Sequence, residues 1–441
     1  MERLIYQKLM HWKDTNNRKP LLLKGVRQCG KTYLLKEFGN REFSRTHYIN
    51  FEKDREAHRL FEGNLDPREV IKNLSFHLDT VINFEKDFII FDEIQACPNA
   101  LTSLKYFSED MPQLFVSAAG SLLGIHLSPT SFPVGQVTIL SMYPLSFIEF
   151  LLALDDQKSV NALYESRENK VISPIVHVHL WKQLLRYFVV GGLPEVVLLF
   201  QEANDENFFE TCEKVRKKQH ELIFAYYADI AKHSGKASAL HIDRILRSIP
   251  TQLARNQDGS AKKFQFRDVV PGIDRYSRLA TAIDWLDAAQ LTIRVPIVNH
   301  VELPLSGYME ESTFKLYLFD VGILGAMGDL PPKAILDYNY GTYKGYFAEN
   351  FIAEELMNSF SSKLYAWQDK RHEVEFLVTH GSDILPIEVK SGWVTKSKSL
   401  HIFMEKYRPP FGTIMSAHPL LIDHKNRFHH YPLYLASQFL L

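Results

Sequence analysis

Gly25-Val26-Arg27-Gln28-Cys29-Gly30-Lys31-Thr32 follows an apolar run, Pro20-Leu21-Leu22-Leu23, and leads into Tyr33-Leu34-Leu35-Lys36-Glu37-Phe38. The spacing G-x-x-x-x-G-K-T is that of a phosphate-cradling loop, set between the strand and the helix that such a loop requires. Gly25 and Gly30 let backbone N–H groups turn inward toward phosphate oxygens, where a side chain would block the approach. Lys31 is expected to reach the outer phosphates and the Thr32 hydroxyl to sit on Mg2+, with Val26, Arg27, Gln28, Cys29 and Tyr33 completing the nucleotide site. A glycine-containing turn that matched by accident would need neither flanking element.

Working outward, the next partner is Phe88-Ile89-Ile90-Phe91-Asp92-Glu93. An unbroken apolar run of this length suits a strand buried on both faces of a parallel sheet. Carboxylates at its C-terminal end point into the crevice where open α/β sheets bind ligands. Asp92 is expected to hold Mg2+ through water and Glu93 to polarise the water that attacks the terminal phosphate. Together the two segments predict an enzyme, a nucleotide hydrolase with ATP and Mg2+ as its small-molecule partners. A third strand, Leu114 to Ala119, ends at Gly120-Ser121. Ser121 is placed to sense the terminal phosphate; it also suits a helix N-cap for Leu122-Leu123-Gly124, and the two roles are compatible.

The 441 residues allow two to four domains, and 46% apolar with 23% charged residues is ordinary globular composition. A net charge of −1 gives no whole-molecule attraction to nucleic acid, so any such binding must come from a local patch. Three widely spaced cysteines, Cys29, Cys97 and Cys212, form no metal pattern and suit a reducing interior. With no membrane-length apolar stretch and no signal-peptide core at Met1 to Lys8, a cytoplasmic protein without a membrane partner is expected.

Strand and helix patterns alternate up to about residue 155 in the manner of a parallel α/β sheet. From Ser173 to Ala239 the pattern is helical, broken at Val190-Gly191-Gly192-Leu193-Pro194-Glu195. Two helices (Ile242 to Leu253, Tyr276 to Ala289) and two strands (Leu291 to Val298, Phe314 to Phe319) then follow in the order of a winged helix-turn-helix. Arg244, Arg247, Arg255, Lys262, Lys263, Arg267, Arg275 and Arg278 crowd this stretch. Such residues suit a DNA-contacting face, and equally a solvated basic face or a helical packing module.

The last hundred residues carry a second group. On a helix spanning Lys344 to Leu356, Glu349 falls among Tyr346, Ile352, Ala353, Leu356 and Phe360, while Glu354 and Glu355 fall outside that set. Two strands, His372 to Val378 and Ile384 to Lys390, carry Glu375, Glu388 and Lys390. Glu349, Glu375, Glu388 and Lys390 are therefore expected to converge. Clustered carboxylates bind Mg2+, and a lysine beside them can orient water or stabilise a phosphorane-like transition state. The pattern resembles the restriction-endonuclease-like core, with Glu375 where an aspartate is usual. The cluster admits either metal-dependent cleavage or a structural, binding-only role.

The blocks GVRQCGKT, FIIFDEIQ, AAGSLLG, YPLSFIEFL, GGLPEVV, FKLYLFDVGIL and EVEFLV…LPIEVKSG occur in an order that resembles a family of prokaryotic P-loop ATPases of the AAA+ type with a C-terminal domain designated DUF4143. The resemblance covers nearly the whole chain. It implies an ATPase core over residues 1–155, a helical connector over 156–239, a winged-helix-like module over 240–330 and a nuclease-like α/β domain over 331–441. Where relatives often carry a basic residue this chain has Gln136; no segment clearly spells an arginine finger, Arg186 being the one residue singled out, so ring assembly does not follow from the resemblance and self-association stays open. The reading that follows is an ATPase coupled to a nucleic-acid-related C-terminal module, with DNA as the further partner. The alternatives are a slow, nucleotide-gated switch that docks DNA or a protein, and an active metal-dependent nuclease.

Overall fold

A strand that is apolar on both faces needs cover on both, and the N-terminal part of the chain provides it. The computed structural model describes residues 1–121, 133, 135–254, 262–360, 363–393 and 397–440. Its contacts form two units: Met1–Tyr143 with Ala288–Gln290, and Pro144–Asp287 with Leu291–Leu441. The helix expected after Ser121, and Arg255, lie outside the described residues.

The first unit runs α1 (Tyr6–Asp14), β1 (Leu21–Gly25), α2 (Lys31–Glu42), β2 (Arg45–Asn50), α3 (Pro67–His77), β3 (Asp87–Asp92), α4 (Pro98–Asp110), β4 (Phe115–Gly120) and β5 (Thr138–Met142). Its sheet has the order β2-β3-β4-β1-β5, every pair parallel. All six residues of β3 are buried. On one face Leu22, Ile89, Phe91, Val116 and Ala118 pack with Val70, Ile71 and Leu74 of α3 and Leu101, Leu104 and Phe107 of α4. On the other, Phe88 meets Trp12 of α1 and Phe38 of α2 edge-on and stacks on Phe43 at 4.8 Å. This is the parallel sheet expected from the sequence, with its last strand at Thr138–Met142.

The second unit opens with helices α5 (Phe147–Ala153), α6 (Gln157–Asn169), α7 (Pro174–Val190), α8 (Pro194–Phe200), α9 (Phe208–His233), α10 (Lys236–Ala254) and α11 (Tyr276–Ala288). Then come β6 (Thr292–Val298), β7 (Met309–Leu318), α12 (Val321–Met327), α13 (Pro332–Leu336), α14 (Tyr343–Ser359), β8 (Tyr365–Asp369), β9 (His372–His380), β10 (Asp383–Val389), α15 (Lys398–Tyr407), β11 (Gly412–Ser416), β12 (Leu421–Asp423) and β13 (Phe428–Pro432). One eight-stranded mixed sheet has the order β12-β13-β11-β10-β9-β8-β6-β7.

The second unit departs from its local sequence pattern at two places. The β6–β7 ribbon does not stand alone: Ile297 and Val298 of β6 pair parallel with Ala366 and Trp367 of β8, which carries the ribbon into the C-terminal sheet. Six of the seven β6 residues are buried, so this strand needs cover on both faces and an isolated wing would leave one bare. By its contacts the chain divides near 143/144. Second, α14 is not amphipathic. Every residue from Gly345 to Leu356 is buried, Glu354 and Glu355 included, because β7, β10, α10, α12 and the turn Leu433–Gln438 surround the helix.

The buried acids of α14 are tolerated through local donors. Asn350 Nδ2 donates to Glu354 Oε1, and Glu355 Oε1 accepts the Phe147 N–H at the start of α5 at 2.8 Å. Burial pushes Glu355 up to about 7 against the pull of that N–H. A raised carboxyl pKa favours the folded state below the unfolded value, and the advantage is lost as pH rises through the folded value. Glu355→Gln keeps the acceptor and removes the titration. Thermal unfolding followed from pH 4.5 to 8 should show a shallower loss of stability in the variant than in the native chain, the gap approaching about 3 kcal/mol at most.

Candidate active site

The loop between β1 and α2 is shaped by its neighbours as much as by any ligand. A Cβ at Gly25 would lie 2.4 Å from the Met142 carbonyl oxygen of β5 and 2.9 Å from Cys29 Sγ. Gly30 has φ +97°, a left-handed conformation in which a side chain is strained, and its turn starts α2 at Lys31. Cys29 is fully buried, and its thiol lies 3.7 Å from the Met142 carbonyl. Val26 is buried, Arg27 half-buried, Gln28 exposed with φ +66°, and Tyr33 61% exposed on the first turn of α2.

Lys31 is 8% exposed and its ammonium donates to the Gly25 and Val26 carbonyls at 2.8 and 2.9 Å, so the charge lies over the loop. The first N–H groups of α2 have no partner one turn earlier in the helix, which suits an anion. Thr32 Oγ1 donates to Asp92 Oδ2 at 2.9 Å. A hydroxyl and a carboxylate side by side are hard oxygen donors of the kind Mg2+ takes, so these residues fit that ion and a nucleotide phosphate chain.

Sequence reasoning missed three contributors. Tyr48 OH donates to the same Asp92 oxygen at 2.8 Å, with Asn50 Nδ2 at 3.4 Å. Burial and the hydrogen bond to Asp92 push Tyr48 up to about 12, so it stays a donor. Only the alternation along β2 could have singled them out, since Tyr48 and Asn50 are two residues apart and share a face. Arg3 lies ahead of α1 with no motif to mark it; its guanidinium donates to the Cys29 carbonyl at 3.0 Å and the Tyr143 carbonyl at 2.6 Å.

Glu93 follows β3 with φ +49° and ψ +45°, a conformation that costs a non-glycine residue about 1 kcal/mol or more. The Glu93 N–H donates to Asp92 Oδ1 at 3.1 Å, and Gln95 Nε2 donates to Glu93 Oε2 at 2.6 Å. Burial raises the Glu93 pKa above the ordinary carboxylate value, with the charge of Asp92 adding and the Gln95 hydrogen bond opposing. β4 lies between β1 and β3, pairing Lys24 with Gly120 and Phe91 with Ala118, so Ser121 ends its strand between the loop and the carboxylates, buried.

In the second unit Glu349, Glu375, Glu388 and Lys390 do come together. Glu349, Glu375 and Glu388 are each under 5% exposed. Lys390 Nζ lies 2.6 Å from Glu388 Oε1, and Glu375 Oε2 accepts the Val389 N–H at 3.2 Å. Glu388 Oε2 is buried with no hydrogen-bond partner. The sequence did not reveal that β7 adds Lys315 and Tyr317: Tyr317 OH donates to Glu349 Oε2 at 2.7 Å, and Lys315 pairs with Glu349 at 3.5 Å and with Glu373. Among the described residues no group of three or more His, Cys, Asp or Glu side chains has the spacing to hold a metal. Arg186, in α7, donates to Gln183 Oε1 at 3.2 Å and lies over the Phe208 ring. No helix is long and apolar enough to cross a membrane among the described residues.

Residues 17–151 match the family model of an AAA domain, residues 182–334 a domain of unknown function (DUF8612) and residues 344–433 a domain of unknown function (DUF4143). No curated protein matches. Similar solved structures include a Walker-type ATPase of Pyrococcus abyssi (16% identity, 73% of this chain, 93% of that chain, TM-score 0.44). Others are the Aeropyrum pernix Orc1 protein in complex with DNA (16%, 76% and 95%, TM-score 0.30) and AMPPCP-bound DnaA from Aquifex aeolicus (13%, 65% and 87%, TM-score 0.30).

The Arg3 anchor is checkable independently of any ligand. Arg3→Met removes a buried charged donor from two loop carbonyls and should destabilise the first unit by about 2–3 kcal/mol in chemical denaturation.

Proposed function

We propose, for a chain that joins an AAA domain to a DUF4143 domain, that it binds and hydrolyses ATP with Mg2+ and couples this cycle to nucleic-acid binding by its second unit. The observation that carries the reading is the meeting of Lys31, Thr32, Asp92 and Glu93 at the C-terminal ends of the sheet's strands. Lys31 and the loop N–H groups, from Arg27 to Tyr33, bind the phosphates, and Thr32 with Asp92 holds the metal. Mg2+ bound there supplies positive charge to the terminal phosphate as it departs. Glu93 accepts the proton of the attacking water, whose oxygen bonds to the terminal phosphorus as the bond to ADP breaks. Ser121 donates toward the phosphate from its strand end. Gln95 positions Glu93: it ties one carboxylate oxygen and opposes the effect of burial on the pKa.

Nucleic acid is the partner favoured by Lys262, Lys263, Arg267, Arg275 and Arg278, all exposed along the segment that leads into α11. Asp268 and Asp274 are the acids within that stretch. Arg247 is engaged elsewhere, paired with Asp243 at 2.9 Å and lying over the Tyr227 ring. Phosphate contacts of this kind weaken steeply with salt.

Lys31→Ala should abolish binding of a fluorescent ATP analogue. Glu93→Gln should keep that binding while phosphate release falls roughly a hundredfold or more; full turnover in either purified variant refutes the assignment. A base must be ionised to work, so turnover should rise with pH through the Glu93 pKa. Gln95→Leu removes a hydrogen bond that lowers this pKa and should move the acid limb of the rate profile to higher pH, with nucleotide affinity unchanged.

A further inference from the structure

The resemblance to a metal-dependent nuclease core calls for a divalent cation among Glu349, Glu375 and Glu388, and the residues present do not fit one. Each carboxylate of the cluster gives an oxygen to a donor within the chain: Glu349 to Lys315 and Tyr317, Glu373 to Lys315, Glu375 to the Val389 N–H, and Glu388 to Lys390. The spacing that a cation requires of three such side chains is not met among the described residues. Lys315 is the unusual member, with a wholly buried side chain. A buried ammonium is costly unless paired and hydrogen-bonded, and here two carboxylates face it.

We infer that Lys315 is a built-in counter-cation: its ammonium occupies the carboxylate cluster in place of a divalent metal, so the second unit holds nucleic acid without a metal-dependent cleavage centre. The inference uses Lys315 of the FKLYLFD block, to which the ATPase reading gives no role.

Electrostatics support the permanence of the arrangement. Burial alone would discharge Lys315, but Glu349 and Glu373 outweigh it and hold its pKa well above the ordinary lysine value. Burial and the neighbouring Glu388 charge hold the Glu375 carboxyl well above its ordinary value, against the pull of Lys315 and Lys390. A divalent ion would have to displace Lys315, and the displaced ammonium would stay buried without its partners. Mg2+ also favours octahedral oxygen ligation and keeps several waters. The nucleic-acid part of this inference rests on the function proposed above, whereas the place of Lys315 among the carboxylates does not involve the first unit.

The test is Mn2+ titration of the full-length chain without nucleotide, free Mn2+ being read by its paramagnetic resonance signal. The native chain and Glu388→Gln should take up equal Mn2+. Lys315→Met keeps the volume and removes the charge, and should gain one Mn2+ per chain that Lys315→Met/Glu388→Gln lacks. Lys315→Arg keeps a buried cation and should behave as the native chain. Uptake by the native chain that Glu388→Gln abolishes overturns the inference, as does a folded Lys315→Met chain that gains none. Should Lys315→Met fail to fold, the native chain against Glu388→Gln still decides the matter. Plasmid incubated with Mn2+ gives a second readout: Glu388-dependent nicking by the native chain is equally fatal.

Discussion

One oxygen atom, Oδ2 of Asp92, receives the Thr32 and Tyr48 hydroxyls within hydrogen-bond distance, with the Asn50 amide close by. That convergence ties together α2, β2 and β3, three elements that are separate in the chain. It requires the phosphate loop and the end of β3 to stand at the same level of the sheet, and β4 between β1 and β3 sets that level. The β4 residues from Ser117 to Gly120 are all small, so the neighbouring strands are bridged without bulk, and Ser117 Oγ donates to the Ile89 carbonyl at 3.1 Å to hold the register. The site is therefore a property of strand order. Each member side chain is conventional; the arrangement comes from packing.

The second unit solves a different problem, the burial of many acids. An isolated buried carboxylate is strongly unfavourable, and three outcomes are visible along one helix and the strands beside it. Glu349 is paired with Lys315 and Tyr317. Glu355 is stabilised by a backbone N–H and titrates high, up to about 7. Burial, with the charges of Asp320 and Glu355 adding, holds Glu354 well above its ordinary pKa. Asp320 belongs to the same family of solutions: it accepts the Gly192 and Ile323 N–H groups at 2.7 and 2.8 Å, joining the Gly191-Gly192 break to the start of α12, and sits at about 6. These contacts explain why the GGLPE and FDVG blocks go together. They are two halves of one buried hydrogen-bonded junction.

How much of this could be read from residues alone differs between the two units. In the first, local chemistry is decisive: a glycine-flanked loop, an apolar strand and a pair of acids each announce their role through short-range spacing. The strands were found nearly in place for the same reason. In the second unit the pattern misled twice. The β6–β7 ribbon follows helices, as a wing would, yet its apolar residues occupy both faces and it completes an eight-stranded sheet. On α14, helical periodicity set Glu354 and Glu355 apart from the apolar set, whereas the helix is enclosed on every side. Periodicity reports one buried face well. It fails where an element is central, because the contrast it measures disappears.

The sequence by itself determined the phosphate loop, the acids at the end of β3 and the parallel α/β character of the first unit. These depend on residue spacing within single elements, where the chain's own geometry dictates which side chains share an end or a face. Only the tertiary structure decided that Tyr48, Asn50 and Arg3 complete the loop's surroundings and that Lys315 enters the acid cluster. Those partners are brought in by strand neighbours and by segments 26 to 140 residues away in the chain. Such pairings are selected by the burial of whole surfaces, which no local spacing encodes.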